Sequence, residues 1–95
     1  MLLSNEPGVY FEGRFGVRIE NLLVVVPGGS GEFGEFLAFE TVSLCPIDLD
    51  LVQVGMLTQD EREWLNNYHL RVRDALSPLL NENERDWLRQ ETREI

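Results

Sequence analysis

The run FGVRIENLLVVV, residues 15–26, decides the fold class. Val17 and Ile19 alternate with Arg18 and Glu20, the period of two expected of a strand with one half-polar face. From Leu22 the run is wholly apolar, as in a strand buried on both faces. Pro27-Gly28-Gly29-Ser30-Gly31 breaks it. A second β-like run follows from Phe36 to Leu44. Here Leu37, Phe39, Thr41 and Ser43 alternate with Ala38, Glu40, Val42 and Leu44. The two runs predict an antiparallel hairpin with a long loop. Upstream, Leu2-Leu3-Ser4 reads as a short strand ending at Asn5, and downstream Pro46 to Leu57 reads as an extended connector.

The composition shifts near residue 55, from Val, Phe, Leu and Gly to Leu, Glu, Arg and Asn. Thr58-Gln59-Asp60-Glu61 has the pattern of a capping box, with Asp60 favouring the helix dipole. Beyond it Trp64, Leu65, Tyr68, Val72 and Leu76 recur at helical spacing and make one apolar stripe. Such a stripe is expected to cover the chain's own sheet or a second subunit. Pro78 ends or kinks this helix. Asn81 with Glu84 marks a second helix start, anchored by Trp87 and Leu88. The fold class is therefore α+β, an antiparallel sheet fragment over residues 1–55 followed by a helical extension over residues 56–95.

Composition excludes several function classes. The chain has 95 residues, 17 acids and 8 bases, for a net charge of −9. Such a surface repels phosphate backbones, so nucleic acid is not an expected partner. All the bases are Arg, which leaves no lysine patch for an anionic membrane. The longest apolar run, Leu22 to Val26, is far short of the ~20 residues that cross a bilayer. The first residues lack a basic segment and a long apolar segment, so no signal peptide is legible. A lone cysteine, Cys45, fits a reducing compartment and reads as a buried small hydrophobe. A cytoplasmic protein is expected.

Two carboxylates stand out by context. Glu6 lies in Asn5-Glu6-Pro7-Gly8, where proline biases the residue before it to extended backbone. A carboxylate there is held at a strand end. Glu20 shares a strand face with Arg18. An acid and a base on one face of an apolar strand need partners. From the residues alone, Arg18 and Glu20 read either as an ion pair on a solvated edge or as part of a site.

The stretch MLLSNEPGVYFEGRFGVRIENLLVVV resembles the end of the catalytic domain of the Xaa-Pro aminopeptidase family. Three patterns carry the resemblance: Glu6-Pro7-Gly8, the run from Gly16 to Asn21, and the spacing between Glu6 and Glu20. FETVSLCPIDLDLV is similar to that family's final strand and connector, and LTQDEREWLNNYHLRVRDALSPLL to the C-terminal extension of its long members. The resemblance implies a partial pita-bread (creatinase/aminopeptidase-like) fold. It also implies a dinuclear metallopeptidase that hydrolyses the N-terminal Xaa-Pro bond of peptides with proline at the second position. It assigns Glu6 to one of two divalent metals, Mn²⁺ by preference, and Glu20 to both. Tyr10 and Arg18 would orient these ligands from behind. Two aspartates and a histidine would come from segments upstream of this chain. His69, in mid-helix, does not replace them and reads as a structural or surface residue. The chain is thus expected to be a fragment that begins inside a catalytic domain, inactive alone and binding no metal by itself, with the parent a homodimer or larger. The alternative is an acidic interaction module without catalysis, whose unpaired sheet edges seek partners.

Overall fold

A computed structural model describes residues 1–95. The chain forms two compact units, Met1–Ser43 and Leu44–Ile95.

The first unit contains only strands. These are β1 (Leu2–Asn5), β2 (Gly8–Phe11), β3 (Phe15–Arg18), β4 (Asn21–Gly31) and β5 (Gly34–Thr41). One antiparallel sheet has the order β1-β4-β5, and β2 pairs with β3 in a second. The run 15–26 is therefore two strands with a break at Ile19-Glu20. The expected long loop is also corrected. β4 continues through Pro27 to Gly31, and the hairpin closes between Gly31 and Gly34. A register shift between Pro27 and Ser30 absorbs the glycines as a bulge. Gly28 is required there, because a Cβ would lie 2.9 Å from the Leu37 carbonyl carbon. Gly29, with φ 98°, takes a conformation that side chains disfavour. No residue of this unit is buried.

The second unit holds the core. Helix α1 (Gln59–Leu76) and helix α2 (Glu82–Glu91) both open on complete capping boxes, at Thr58/Glu61 and Asn81/Glu84. A short 3-10 turn around Pro78 separates them. Leu49, Leu65, Tyr68, Val72 and Leu88 are buried together, flanked by Leu44, Ile47, Val52, Leu57, Leu76, Leu80 and Ile95. Leu65, Tyr68, Val72 and part of Leu76 in the α1 stripe are therefore covered by the connector and by α2 and its tail, in place of the expected sheet, while Trp64 stays 48% exposed. Two side chains of α1 fasten the connector. The Tyr68 hydroxyl accepts from the Cys45 N–H at 3.2 Å and donates to the Cys45 carbonyl at 2.6 Å. His69 Nε2 accepts from the Ile47 N–H at 2.9 Å. His69 is wholly buried and structural. Cys45 corrects its expectation, since its side chain is exposed. With its backbone held by Tyr68, the half-buried places around it go to Leu44 and Ile47. Arginines tie down carbonyls at the helix ends. Arg85 donates to the Ser77 carbonyl and Arg73 to that of Thr92.

Candidate metal centre

The two expected ligand residues lie at the junctions of the strand unit. Glu6 separates β1 from β2, and Glu20 separates β3 from β4. β1 pairs with β4 up to Asn5 and Asn21, and β2 pairs with β3 from Gly8 and Arg18. Both ladders keep one register. Each step forward on one strand matches a step back on the other. Continued across the gap, that register sets Glu6 opposite Glu20 and Pro7 opposite Ile19. One bond inside the gap confirms the continuity, from the Ile19 N–H to the Pro7 carbonyl at 3.1 Å. The reciprocal bond cannot form, because proline has no N–H to donate.

In an antiparallel pair, hydrogen-bonded and non-hydrogen-bonded positions alternate. Pro7 and Ile19 take the first kind, so Glu6 and Glu20 take the second. That is where facing residues approach most closely, with Cα atoms about 4.5 Å apart. Alternation also places Gly8 and Tyr10 on the Glu6 face, and Gly16 and Arg18 on the Glu20 face. All four residues singled out in the sequence thus share one face of a two-stranded ribbon.

The glycines of that face make room for Tyr10. A Cβ on Gly8 would lie 2.7 Å from the Tyr10 hydroxyl oxygen, and one on Gly16 would lie 2.6 Å from ring atom Cδ1. The ring therefore lies across both glycines, and its hydroxyl ends over Gly8, one pleat from Glu6. This explains why the pattern needs Gly8 and Gly16. Arg18 Nε stands 3.6 Å from Glu20 Oε2. This ion pair is half-exposed, so as a stability element it contributes little.

On the other edge of β4, Asn21 and Leu22 are fastened to Ser43. The Ser43 hydroxyl donates to Asn21 Oδ1 and accepts from the Leu22 N–H, each at 3.0 Å. In the sequence Ser43 is one member of an alternating run. Its cross-strand position opposite Asn21 follows once the β4–β5 register is known.

The donor set suits a cation. Like charges directly opposite on a ribbon repel, and a divalent ion between them removes that cost. Carboxylate oxygens are the donors that hard ions such as Mn²⁺ prefer. The set is also incomplete. No three His, Cys, Asp or Glu side chains come together anywhere in the chain. His69 belongs to the second unit, where burial and then the Arg73 and Arg93 charges hold its pKa below 6.5. In its neutral form, with Nε2 accepting, the proton sits on Nδ1, which has no hydrogen-bond partner.

Comparison with known proteins bears on this arrangement. The family described as "C-terminal region of peptidase_M24" matches residues 35–95. A probable Xaa-Pro aminopeptidase P of Coprinopsis cinerea is 43% identical over 101 residues, covering 100% of this chain and 16% of that protein. Aminopeptidase P1 of Arabidopsis thaliana is 38% identical over 98 residues, covering 100% of this chain and 15% of that protein. The crystal structure of X-prolyl aminopeptidase from Caenorhabditis elegans, described as a cytosolic enzyme with a di-nuclear active site, matches with a TM-score of 0.86 at 32% identity. That match covers 99% of this chain and 16% of the other. The strands and helices are thus a fragment of the X-prolyl aminopeptidase fold, as the resemblance implied. The chain spans 15–16% of the length of these relatives. No helix is long and apolar enough to cross a membrane.

Proposed function

This chain belongs to the family of the C-terminal region of peptidase_M24, and from that premise we propose that it is the C-terminal portion of a metal-dependent Xaa-Pro aminopeptidase. The observation that carries this reading is the placement of Glu6 opposite Glu20, with Arg18 and Tyr10 on the same face. Glu6 and Glu20 would hold the divalent ions, with Glu20 shared between them. When bound, the ions, Mn²⁺ by the hardness of the donors, polarise the scissile carbonyl and activate water. The chain's own residues hold that centre in place. Strand backbone on both sides of the Pro7 break fixes the two carboxylates. Arg18 orients Glu20 through their ion pair, and the Tyr10 hydroxyl closes the face beside Glu6. Residues 1–55 serve the catalytic domain and residues 56–95 form its helical extension.

The remaining ligands come from upstream segments, so the 95-residue piece has no aminopeptidase activity of its own. The substrates are peptides with proline at the second position. The names of the relatives support that choice, and the cytosolic description of the worm enzyme supports a cytoplasmic location. Exposed Trp87 and Leu79 on the second unit favour a homodimer, since aromatic anchors are enriched at interfaces. The test is made on the full-length polypeptide that carries this segment, with an Xaa-Pro peptide and Mn²⁺. Release of the first residue should be metal-dependent and lost in Glu20→Gln. Equal release by that variant would overturn the ligand assignment.

A further inference from the structure

The ladder between β4 and β5 ends in an unusual way. β5 stops at Thr41, and the chain then leaves the sheet. At the next step the Val42 N–H still donates to the Leu22 carbonyl at 2.9 Å. The return bond, from the Leu22 N–H, goes to the Ser43 hydroxyl instead of a backbone carbonyl. The same hydroxyl donates onward to the Asn21 side chain. One oxygen thus fastens the two residues that follow Glu20. On the opposite edge, Asn21 pairs with Asn5, the residue before Glu6. Ser43, Asn21 and Asn5 therefore form one line across the sheet, immediately beside the line that carries both carboxylates.

We infer that Ser43 is a positioning residue for Glu20, acting through Asn21 and Leu22 to fix the backbone from which the carboxylate projects. The inference rests on the reading of Glu20 as a metal ligand. Glu20 stands at the break between β3 and β4, opposite Glu6 at a position without cross-strand backbone bonds. Its orientation then depends on the neighbours that are tied down. Carboxylates that must meet an ion in a set geometry tolerate little displacement, and loss of such supporting contacts typically costs about 10–100-fold in metal affinity or activity. Ser43 reaches neither carboxylate, so its effect has to pass through the backbone.

The test compares Ser43→Thr with Ser43→Val in the full-length polypeptide. The two side chains have nearly the same shape, and only threonine keeps the hydroxyl. Mn²⁺ binding is measured by equilibrium dialysis, beside turnover of an Xaa-Pro peptide. Ser43→Thr should bind like the parent. Ser43→Val should bind Mn²⁺ about 10–100-fold more weakly, with turnover recovering as Mn²⁺ is raised. A purely structural role would lower the yield or the melting temperature and leave Mn²⁺ affinity alike in both variants, which overturns the inference. If Ser43→Val does not fold, Asn21→Ala removes the acceptor and keeps the Leu22 bond. Unchanged Mn²⁺ affinity there also overturns it. Glu20→Gln is the control. If that variant keeps full Mn²⁺ affinity, the ligand reading itself has failed, whatever the Ser43 variants do.

Discussion

The strand unit and the helical unit divide the molecule's labour. Met1–Ser43 contains every residue that bears on the candidate centre and not one buried side chain. Leu44–Ile95 contains the whole buried core and no converging set of ligands. The first unit places its carboxylates through strand register and a few polar side-chain contacts, and it leaves Phe11, Phe15, Val17 and Ile19 in the open. The second buries most of its stripe, caps its helix starts and fastens its connector from within. The contrast shows how a site and a fold can be supplied by different stretches of one short chain. Backbone pairing suffices to place charges, whereas stability needs apolar surface removed from water.

That contrast can be broken most sharply at the carboxylates. In the full-length polypeptide, Glu20→Ala and Glu6→Ala should each abolish release of the first residue from an Xaa-Pro peptide. The same truncation at exposed Glu63, on α1, should leave turnover unchanged. Comparable losses at all three positions would erase the distinction between the units.

Next in size are the packing substitutions. Leu88 is 1% exposed, and Leu88→Ala should cost about 2–5 kcal/mol of stability. Leu37 is 76% exposed, and Leu37→Ala should stay within about 0.5 kcal/mol. Urea unfolding followed by tryptophan fluorescence reports on the second unit directly, because Trp64 and Trp87 both lie there. A costly Leu37→Ala would show that the strand unit has cover this chain does not display.

Arg18→Ala sharpens the comparison from the other side. It should lower turnover about 10–100-fold in the full-length polypeptide and leave the urea midpoint where it was. The half-exposed ion pair with Glu20 adds little to stability. A shifted midpoint with intact turnover would make Arg18 a structural residue.

The smallest effect concerns pH and belongs to the helical unit alone. The pKa of His69 is below 6.5 in the folded chain, first through burial and then through Arg73 and Arg93. Protonation would also set an N–H on Nε2 against the Ile47 N–H. Below pH 6.5 the unfolded chain therefore binds the proton more readily than the folded one. The stability tied to neutral His69 is fully present above pH 6.5 and lost as the pH falls from there to the folded pKa. Urea midpoints measured between pH 7.5 and 5 should fall in the parent and fall less in His69→Gln. Parallel curves would reject the assignment.

Much of this was legible from the residues. The two capping boxes, the break at Pro78 and the α1 stripe are local patterns, and local hydrogen bonds and helical period determine them. Arg18 and Glu20 were legible for the same reason, as charges on an otherwise apolar strand, and Glu6 through the proline that follows it. The extent of β4 was not. Pro27 and two glycines look like a loop, and only pairing with β5 turns them into a bulge. The exposure of Cys45 was not legible either, because a hydroxyl twenty-three residues away holds its backbone.

The sequence by itself determined which residues can carry charge at the centre, where the helices begin, and which apolar stripe needs covering. Each of these follows from side-chain chemistry and from contacts only a few residues apart. The tertiary structure alone decided that Glu6 faces Glu20, that Tyr10 lies across Gly8 and Gly16, and that Ser43 closes the ladder beside Glu20. It also decided that the connector and α2 cover Leu65, Tyr68 and Val72 of the stripe. These outcomes depend on register between strands and on packing between distant segments. A shift of one residue in register would turn every side chain of a strand to its other face. No local pattern specifies that choice.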